Sequence, residues 1–568
     1  MLLRALVEYA GRTAAPPTMY VAAEVHWALE LSSAGEWRGW TPLRDANGRG
    51  RRLLRPHVAR AFGVRPKLLA DTGEYVLGAP RPTSQPDRVR AQHTAFVHLV
   101  EEAAAETQHP GVMAAAAFFR AGGPADLPEG WNPADVVAIR VDGHFPMDDP
   151  AVQQFWATYT GTAADHGLIP CLVCGRPAPA EDRLPLKIKR IPGGQASGTA
   201  LVSVNDPAFE SYGRKAALNS PICATCAEAS HNALNALIAG EQTHLTAGPV
   251  VYVFWTRDQG SPFSPVALLD TPAPDDVQAL LRSVQTGDAG GNVGVARDAD
   301  RFYACALSAN GGRAVVRSWV DTTVAEAQRH LARWFVAQAL VAEDGQPGSP
   351  LGIRALTDAL YRDRRDLAPS ISSGLITAAL TGAAVNPTVL LLALRRSRVD
   401  PHHVPRARAV VIKLALLALG QGGSTMHDRL TGLDAHYPDP AYHWGRLVAE
   451  LESIQRAAIP GANSTLIDRY FAAASTAPGR IYSVLIRNAQ PHLAKLRRDN
   501  ERQYYAYQRR LEEIQAALAP GTLAAPFDVA QQGLFALGYY HQRAEQRRQM
   551  LEARRHHDPD TPEEAAQA

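Results

Sequence analysis

Four cysteines form the clearest candidate for chemistry in this chain. They occur as two Cys-x-x-Cys pairs, Cys171 with Cys174 and Cys223 with Cys226, separated by residues 175–222. Two such pairs supply the four thiolates of a tetrahedral structural zinc site, and a reducing compartment favours zinc over disulfides. The spacing therefore predicts a structural zinc ion. Buried metal-free thiols and a redox-active dithiol are the alternatives, although neither pair opens the βαβ pattern typical of redox dithiols.

The spacer between the two pairs has a composition that suits a nucleic-acid backbone. Residues 187–213 read KIKRIPGGQASGTALVSVNDPAFESYG, which combines cations, glycines and short polar side chains. Cations neutralise phosphates, glycine lets the main chain come close, and amide or hydroxyl groups can meet base edges. The candidate phosphate contacts are Lys187, Lys189 and Arg190. The other candidate DNA contacts are Gly193, Gly194, Gln195, Ser197, Asn205 and Tyr212.

The overall charge of the chain limits any nucleic-acid surface to local patches. Of 568 residues, 58 are basic and 56 acidic, so the formal net charge is only +2, unlike proteins that coat DNA indiscriminately. A further basic cluster lies in KLRRDNER, whose candidate strand contacts are Lys495, Arg497, Arg498 and Arg502. An ordinary solvated helix face is the alternative for that cluster.

Two different periodicities predict the fold class. Alternating residues over 19–44 predict a β-hairpin, and a strand pair is expected near 302–307 and 313–320. Beyond VAEDGQPGSP the pattern becomes helical, with helices expected near 441–458, 463–474, 478–513 and 526–555. The sequence thus predicts an α+β N-terminal region with an embedded zinc-knuckle and glycine-loop element, followed by an all-α C-terminal helical bundle.

The same patterns suggest domain boundaries and a compartment. We predict an α+β region at 1–345 that contains the zinc element at 171–226, a helical linker at 346–425 and a bundle with a disordered tail at 426–568. No apolar run is long enough to span a bilayer, and the first residues, MLLRALVEYAGR, predict an amphipathic helix instead of a secretory signal. We therefore expect a cytoplasmic protein without a membrane partner.

Catalytic motifs are missing from the sequence. It contains no GxxxxGK[ST] phosphate loop, HExxH helix or GxSxG elbow, so we expect no catalytic residues. The alternative is a zinc-containing nuclease of the HNH type. No histidine lies between Cys174 and Cys223 to act as its base, and His231 with Asn232 follows only after the second pair.

Several sequence blocks resemble one known family. The segment at 187–213 is similar to the signature region of the large subunit of the type I-C CRISPR Cascade complex, in which such a loop is followed by a short SxN and an SYG. Further similar blocks occur in order along the chain: DTGEYVLG at 71–78, LSANGGRAVVRSW at 307–319, AYHWGRLVAELESIQ at 441–455, DRYFAAASTAP at 468–478 and HLAKL at 492–496. Their order is more specific than any single block.

The resemblance implies a non-catalytic subunit of an RNA-guided antiviral surveillance complex. Such a subunit recognises a protospacer-adjacent motif (PAM) on duplex DNA, assists strand separation and stabilises the R-loop. The implied partners are CRISPR RNA, target double-stranded DNA, the displaced non-target strand, the backbone, handle-binding and small subunits of Cascade, and a recruited helicase-nuclease. The resemblance implies that the α+β region at 1–345 contacts the PAM, the DNA and the 5′ handle of the guide RNA. The C-terminal part resembles the small subunit, and Met426 is a candidate internal start for it, with an ordinary loop methionine as the alternative.

Overall fold

The chain folds into two compact units. A computed structural model describes every residue except 13–16, 46, 59, 61–62, 124–125, 133, 162–167, 180–185, 205, 259–262, 287–299, 401, 421–428, 462–463, 519–524 and 558–568. The first unit comprises Met1–Leu237 and Ala309–Val315, and the second comprises Ile238–Ser308 and Val316–Ala568. Residues 238–308 thus group with the helices that follow them. The predicted division at 345 and 426 remains a prediction, and Met426 lies outside the described residues.

The first unit combines short strands with helices. Its strands are β1 (Tyr20–Val25), β2 (Trp27–Leu31), β3 (Trp37–Pro42), β4 (Arg51–Pro56), β5 (Ala70–Thr72), β6 (Val136–Val141), β7 (Ile169–Pro170) and β8 (Pro177–Ala178). Its helices are α1 (Leu2–Ala10), α2 (Gly73–Val76), α3 (Pro86–Thr107), α4 (Pro110–Arg120), α5 (Pro150–Gly161) and α6 (Ala224–Ala239), the last of which ends in the second unit.

A four-stranded sheet in the order β3-β2-β6-β5 forms the centre of the first unit. Strands β2 and β6 are parallel, whereas β2 with β3 and β5 with β6 are antiparallel. The β2–β3 hairpin confirms the hairpin predicted from the alternation over 19–44. Its turn contains Gly35 at a φ of +83°, where an added Cβ would lie 2.7 Å from the carbonyl oxygen of Ala114 in α4. A separate antiparallel ribbon of β1 and β4 was not predicted.

The second unit begins with an antiparallel sheet and continues as helices. Its strands are β9 (His244–Ala247), β10 (Val250–Thr256), β11 (Arg301–Asn310) and β12 (Arg313–Thr323), in the order β12-β11-β10-β9. The helices are α7 (Val266–Asp270), α8 (Pro274–Thr286), α9 (Val324–Gln338), α10 (Ile353–Asp358), α11 (Pro369–Thr381), α12 (Thr388–Val399), α13 (Arg406–Ala418), α14 (Pro440–Ala458), α15 (Leu466–Ala474), α16 (Pro478–Asp499), α17 (Glu501–Ala516) and α18 (Val529–His557). The predicted strand pair and the helical C-terminal region are confirmed, and no described helix is long and apolar enough to cross a bilayer.

One predicted helix is wrong in its extent. The sequence indicated a single helix over 478–513, but the chain forms α16 and α17 with a break at Asn500. The Asn500 side chain accepts a hydrogen bond from the backbone N–H of Gln503, so it caps the start of α17. Such a cap satisfies an N–H group that has no partner within the helix, and it favours a new helix over continuation of the old one.

Helices α14 and α18 pack at backbone distance in the second unit. An added Cβ on Gly445 of α14 would overlap the carbonyl oxygen of Phe535, and one on Gly538 of α18 would overlap that of Tyr442. The buried carboxylate of Glu450 in α14 accepts hydrogen bonds from Arg510 and Gln542, at 2.6 Å and 3.1 Å. The block AYHWGRLVAELESIQ therefore contributes directly to the packing of α14 against α18, because it contains both Gly445 and the buried Glu450.

We expect Gly445→Ala to destabilise the second unit by about 1–3 kcal/mol, because the new methyl group must separate two packed helices. The matched control is Gly374→Ala in α11, where an added Cβ meets no atom within 4 Å. The control should be neutral or stabilising by up to about 1 kcal/mol, because alanine favours a helix more than glycine does. Urea denaturation of both variants measures the difference. Equal effects of the two substitutions would contradict the close helix packing.

Candidate metal centre and nucleic-acid interface

The structure brings the four cysteines of the two pairs together. Their four sulfur atoms all lie within 4.8 Å of one another; the residues are Cys171, Cys174, Cys223 and Cys226. Tetrahedral zinc with Zn–S bonds of about 2.3 Å needs sulfur atoms about 3.8 Å apart, so only a small contraction separates this cluster from a zinc site. In the part of the chain that the structure describes, this is the one group of His, Cys, Asp or Glu side chains that meets this criterion for a metal ion.

Each cysteine pair lies in a short element that aims its sulfur atoms at the cluster. The first pair lies in the turn between β7 and β8, which Gly175 closes at a φ of +74°. The second pair opens α6, so its sulfur atoms lie at the positive end of the helix dipole. The Cys171 sulfur accepts hydrogen bonds from the backbone N–H groups of Val173 and Cys223, each at 3.4 Å. Such bonds stabilise a thiolate, which is the form that binds metal.

The shifted pKa values of the cysteines are also consistent with a site that binds a cation. A hydrogen bond from the Cys226 thiol lowers the pKa of Cys223 to about 5, and the same bond raises the pKa of Cys226. The backbone N–H of Arg176 lowers the pKa of the exposed Cys174. Thiolates this close together repel each other. All four cysteines can therefore be deprotonated at once only when a bound cation offsets this repulsion. The cluster could therefore coordinate a metal ion such as zinc.

The cationic segment at the start of the spacer is exposed on one side and buried on the other. Ile188 and Ile191 are buried, while Lys187, Lys189 and Arg190 point to solvent. Ile188 and Thr199 exchange two backbone hydrogen bonds of 2.8 Å, so the loop between them is closed at its base. The polar side chains of Gln195 and Ser197 are exposed at its tip. The loop is thus a surface feature anchored by apolar residues.

The two predicted glycines have different roles in this loop. Gly193 is exposed at a φ of +73°, and an added Cβ there would meet no atom within 4 Å. Gly194 is required by the loop itself, because an added Cβ would lie 2.8 Å from the Thr199 side chain. Gly193 alone fits the predicted open approach to a ligand, whereas Gly194 contributes to packing.

The tip of the β11–β12 hairpin packs against the loop. The backbone of Ala200 pairs with Gly312 and Ala314 through hydrogen bonds of 2.9 Å, and the Gln195 side chain lies against Gly312. The Arg313 guanidinium lies 4.0 Å above the ring of Phe209. Two sequence blocks that were recognised separately therefore form one surface. Sequence analysis missed Arg313, because no local pattern indicates a pairing over so many residues.

Two asparagines that the sequence analysis did not select hold the spacer in place. Asn235 in α6 donates to the carbonyl of Lys187 at 3.1 Å and accepts from the backbone N–H of Lys189 at 2.9 Å. Asn219 bridges Ser211 and Arg214 in the same manner, at 2.8 Å on each side. Both asparagines lie close in sequence to the second cysteine pair. The elements that hold the sulfur cluster therefore also position the spacer.

Tyr212 occupies a strained and fully exposed position. It lies in the turn between Ser211 and Arg214, with a φ of +54°, and Gly213 follows at +68°. The tyrosine is 99% exposed. A non-glycine residue in this conformation costs about 1 kcal/mol or more, and an exposed aromatic ring gains nothing from burial. The conformation and exposure of Tyr212 therefore have no compensation from burial within the first unit.

The remaining predicted contacts comprise one residue outside the described part of the chain and four residues of the second unit. Asn205 lies outside the described residues. Four exposed cations occupy the end of α16 and the start of α17 in the second unit: Lys495, Arg497, Arg498 and Arg502. The candidate nuclease base His231 is only 1% exposed, and it contacts the carbonyl of Ala227 at 2.7 Å through Nδ1. It has no access to a substrate in this conformation.

Comparison with known families gives one match that spans nearly the whole chain. The family of the CRISPR-associated protein (Cas_Csd1) matches residues 5–547. The chain belongs to this family. It is therefore a CRISPR-associated protein and a component of Cascade-type complexes, with partners among Cas proteins and nucleic acids. No curated protein matches the chain in a sequence search.

We expect metal analysis of the purified Csd1-family chain to find about one zinc ion per chain. Cys223→Ser should lower that content and destabilise the first unit by about 4 kcal/mol or more, because a tetrahedral site with three thiolates binds zinc weakly. The matched control is Cys305→Ala, which removes a buried cysteine whose pKa burial raises to about 12. Zinc content must stay unchanged in the control. Wild-type protein that folds equally well without metal would contradict the site.

Proposed function

We propose that this chain is the large subunit of a type I-C Cascade complex and that it recognises a PAM on duplex DNA. The observation that carries the proposal is the exposed cationic loop, which the cysteine cluster and the β11–β12 tip hold on the surface of the first unit. In this proposal the protein works in the cytoplasm in antiviral defence and cleaves nothing. The guide RNA reads most of the target sequence.

The loop cations are suited to phosphate contacts. Neither Lys189 nor Arg190 makes an ion pair within the described part of the chain, so both charges are available to a partner. The Lys187 ammonium group contacts the Ser197 hydroxyl at 3.3 Å, which leaves its charge unbalanced by that contact. Arg190 adopts a left-handed φ of +62°, a backbone conformation that is uncommon for a residue other than glycine. These charges would fix the register on the duplex without reading sequence.

Base recognition is assigned to the loop tip. Gly193 allows close approach, and Gln195 and Ser197 present exposed amide and hydroxyl groups. Gln195 lies against Gly312, so its position is limited by the hairpin tip and not by the loop alone. An amide that is positioned in advance discriminates bases better than a mobile one, because little rotamer freedom is lost on binding. We assign Asn205 to the same group of contacts from the sequence.

Tyr212 is the proposed wedge for strand separation. Its ring projects from a turn that Asn219 closes on both sides, and Arg214 and Lys215 follow as exposed cations. An aromatic ring can stack on an unpaired base and replace the stacking that is lost when a duplex opens. The flanking cations would hold the adjacent phosphates.

The second unit is assigned to the displaced strand. Positive charge is present along exposed helical positions at Lys495, Arg497, Arg498 and Arg502, which suits a sequence-independent contact with a single strand.

We also propose that the C-terminal part acts as a small subunit, that the chain contacts the handle-binding and backbone subunits, and that the assembly recruits a helicase-nuclease. The burial of His231 supports the absence of nuclease chemistry in this chain.

The loop assignment is tested with the reconstituted complex on duplexes with varied flanking motifs. Replacement of Lys187, Lys189 and Arg190 by Gln should weaken binding to all motifs and reduce the slope of log affinity against log salt by about 2–3, because each phosphate contact contributes about 0.9. Gln195→Ala should instead flatten the preference among motifs by about 1–3 kcal/mol. Gel-shift titrations at several salt concentrations measure both effects.

The charge-matched control replaces the exposed arginines Arg329, Arg333 and Arg362 of the second unit by Gln. Its slope should equal that of the wild type. If the loop variant keeps the wild-type slope, the chain is a scaffold and the proposal fails. Metal-dependent cleavage of the duplex by the purified chain would favour the nuclease alternative.

Tyr212→Ala should slow R-loop formation by about tenfold or more on a duplex target, because the stacking of one base on an aromatic ring is worth about 1–3 kcal/mol. The variant should bind normally to a target whose strands are already separated by mismatches. Tyr212→Trp, which retains an aromatic face, is the matched control and should behave as the wild type. Fluorescence of a base analogue next to the flanking motif reports the opening rate. An equal loss on duplex and mismatched targets would exclude a wedge.

A further inference from the structure

The first unit contains a second electropositive site, formed by elements other than the loop. A cavity of about 150 Å³ lies between the residues around α2 and the start of α3. Its lining includes three arginines and one glutamate. The lining includes Arg60, Glu74, Tyr75, Arg81, Arg88 and Gln92. The cavity is too small for a whole folded partner, but it is large enough for a phosphate and an adjoining sugar group.

Arg60 is held in one orientation at this cavity. Its Nε donates to the carbonyl of Arg65 at 2.8 Å, and its Nη2 is paired with the buried carboxylate of Asp71. The guanidinium stacks 3.9 Å from the centre of the Tyr75 ring. A guanidinium fixed in this way presents its remaining N–H groups in a defined direction, which is the arrangement used for phosphate recognition. The block DTGEYVLG thus supplies two of the three supports of Arg60, Asp71 and Tyr75.

The cavity has more positive charge than its own acids can balance. Glu74 pairs with Arg81, at 3.4 Å between Oε2 and Nε. Arg88 makes no ion pair within the described residues, and it is exposed. The pKa of the nearby Lys67 is lowered to about 8, chiefly by burial and also by the charges of Arg55 and Arg60, while Asp71 opposes this shift. This excess of positive charge favours the binding of an anion from outside the first unit.

A buried amide in the same cavity calls for a hydrogen-bond donor. Gln92 is only 8% exposed, and its Oε1 has no hydrogen-bond partner among the described residues. A buried acceptor without a partner costs about 1–3 kcal/mol, so a ligand that offers a hydroxyl group is favoured here. The ligand therefore combines an anion for the arginines with a hydroxyl for Gln92. A ribose 2′-hydroxyl next to a phosphate provides both, and DNA lacks this hydroxyl.

We propose that this cavity binds a ribose-phosphate group, supplied by an RNA strand or by a free ribonucleotide. The inference rests on the proposed function in so far as RNA is one of the proposed partners. It concerns no residue of the cationic loop and no duplex DNA. The two proposals can therefore fail separately.

The test uses the full chain and fluorescently labelled single-stranded RNA and DNA of the same sequence. Arg88→Gln should weaken RNA binding by about tenfold, because it removes the unpaired charge. Gln92→Leu should remove the preference for RNA over DNA. The matched control is Arg90→Gln, two residues further along α3, where the exposed Arg90 pairs only with Asp87 and does not line the cavity. Its binding should equal that of the wild type.

Competition with adenosine monophosphate and with inorganic phosphate separates the possible sources. An effect of Arg88→Gln on RNA supports an RNA strand, and an effect on the mononucleotide alone supports a free ribonucleotide. If inorganic phosphate competes as well as the nucleotide does, the ribose is not recognised and the inference fails. It also fails if Arg88→Gln and Arg90→Gln behave alike. An unchanged circular dichroism spectrum of Gln92→Leu would show that its altered binding does not come from loss of folding.

Discussion

The convergence of four sulfur atoms is the constraint on which the position of the exposed cationic loop depends. It joins the two ends of a spacer of about 50 residues, and closing such a loop costs about 3–4 kcal/mol of chain entropy. A structural zinc ion contributes about 10–16 kcal/mol in small peptides, several times that cost. If the cluster binds zinc, this surplus would also help to hold the spacer in its observed conformation. Asn219 and Asn235 transmit this constraint, since each lies near the second cysteine pair and binds the spacer backbone.

The strained backbone conformations in the spacer require a surrounding structure that holds them in place. Arg190 and Tyr212 have left-handed backbones, and both side chains are exposed. Neither conformation is compensated by burial, so the cost of each must be met by the surrounding structure. The closed base of the loop and the asparagine bridges provide that compensation. The backbone positions of a cation and an aromatic ring are thereby fixed, which would lower the entropy lost on binding the proposed partner.

Local signals in the sequence were sufficient for most elements, and long-range pairings were not. The alternation over 19–44 gave the β2–β3 hairpin, and the cysteine spacing gave the cluster, because both depend on short periodicities or on known ligand chemistry. The β1–β4 ribbon and the contact of Ala200 with the β11–β12 tip depend on residues far apart in the chain. The break at Asn500 did have a local signal, an asparagine able to cap a helix, but the continuous helical pattern outweighed it.

The near-neutral charge of the chain has a functional consequence once the positions of the cations are known. A uniformly basic protein binds any DNA, and its affinity for the correct site is then masked by a large excess of other sites. In this chain many arginines are paired within the fold, as Arg81 is with Glu74. Unpaired positive charge remains at positions such as Lys189, Arg190 and Arg88. In the proposed function, the net charge of only +2 would keep nonspecific affinity low, and the cations beside Gln195 in the loop and Gln92 in the cavity would act next to groups that can discriminate.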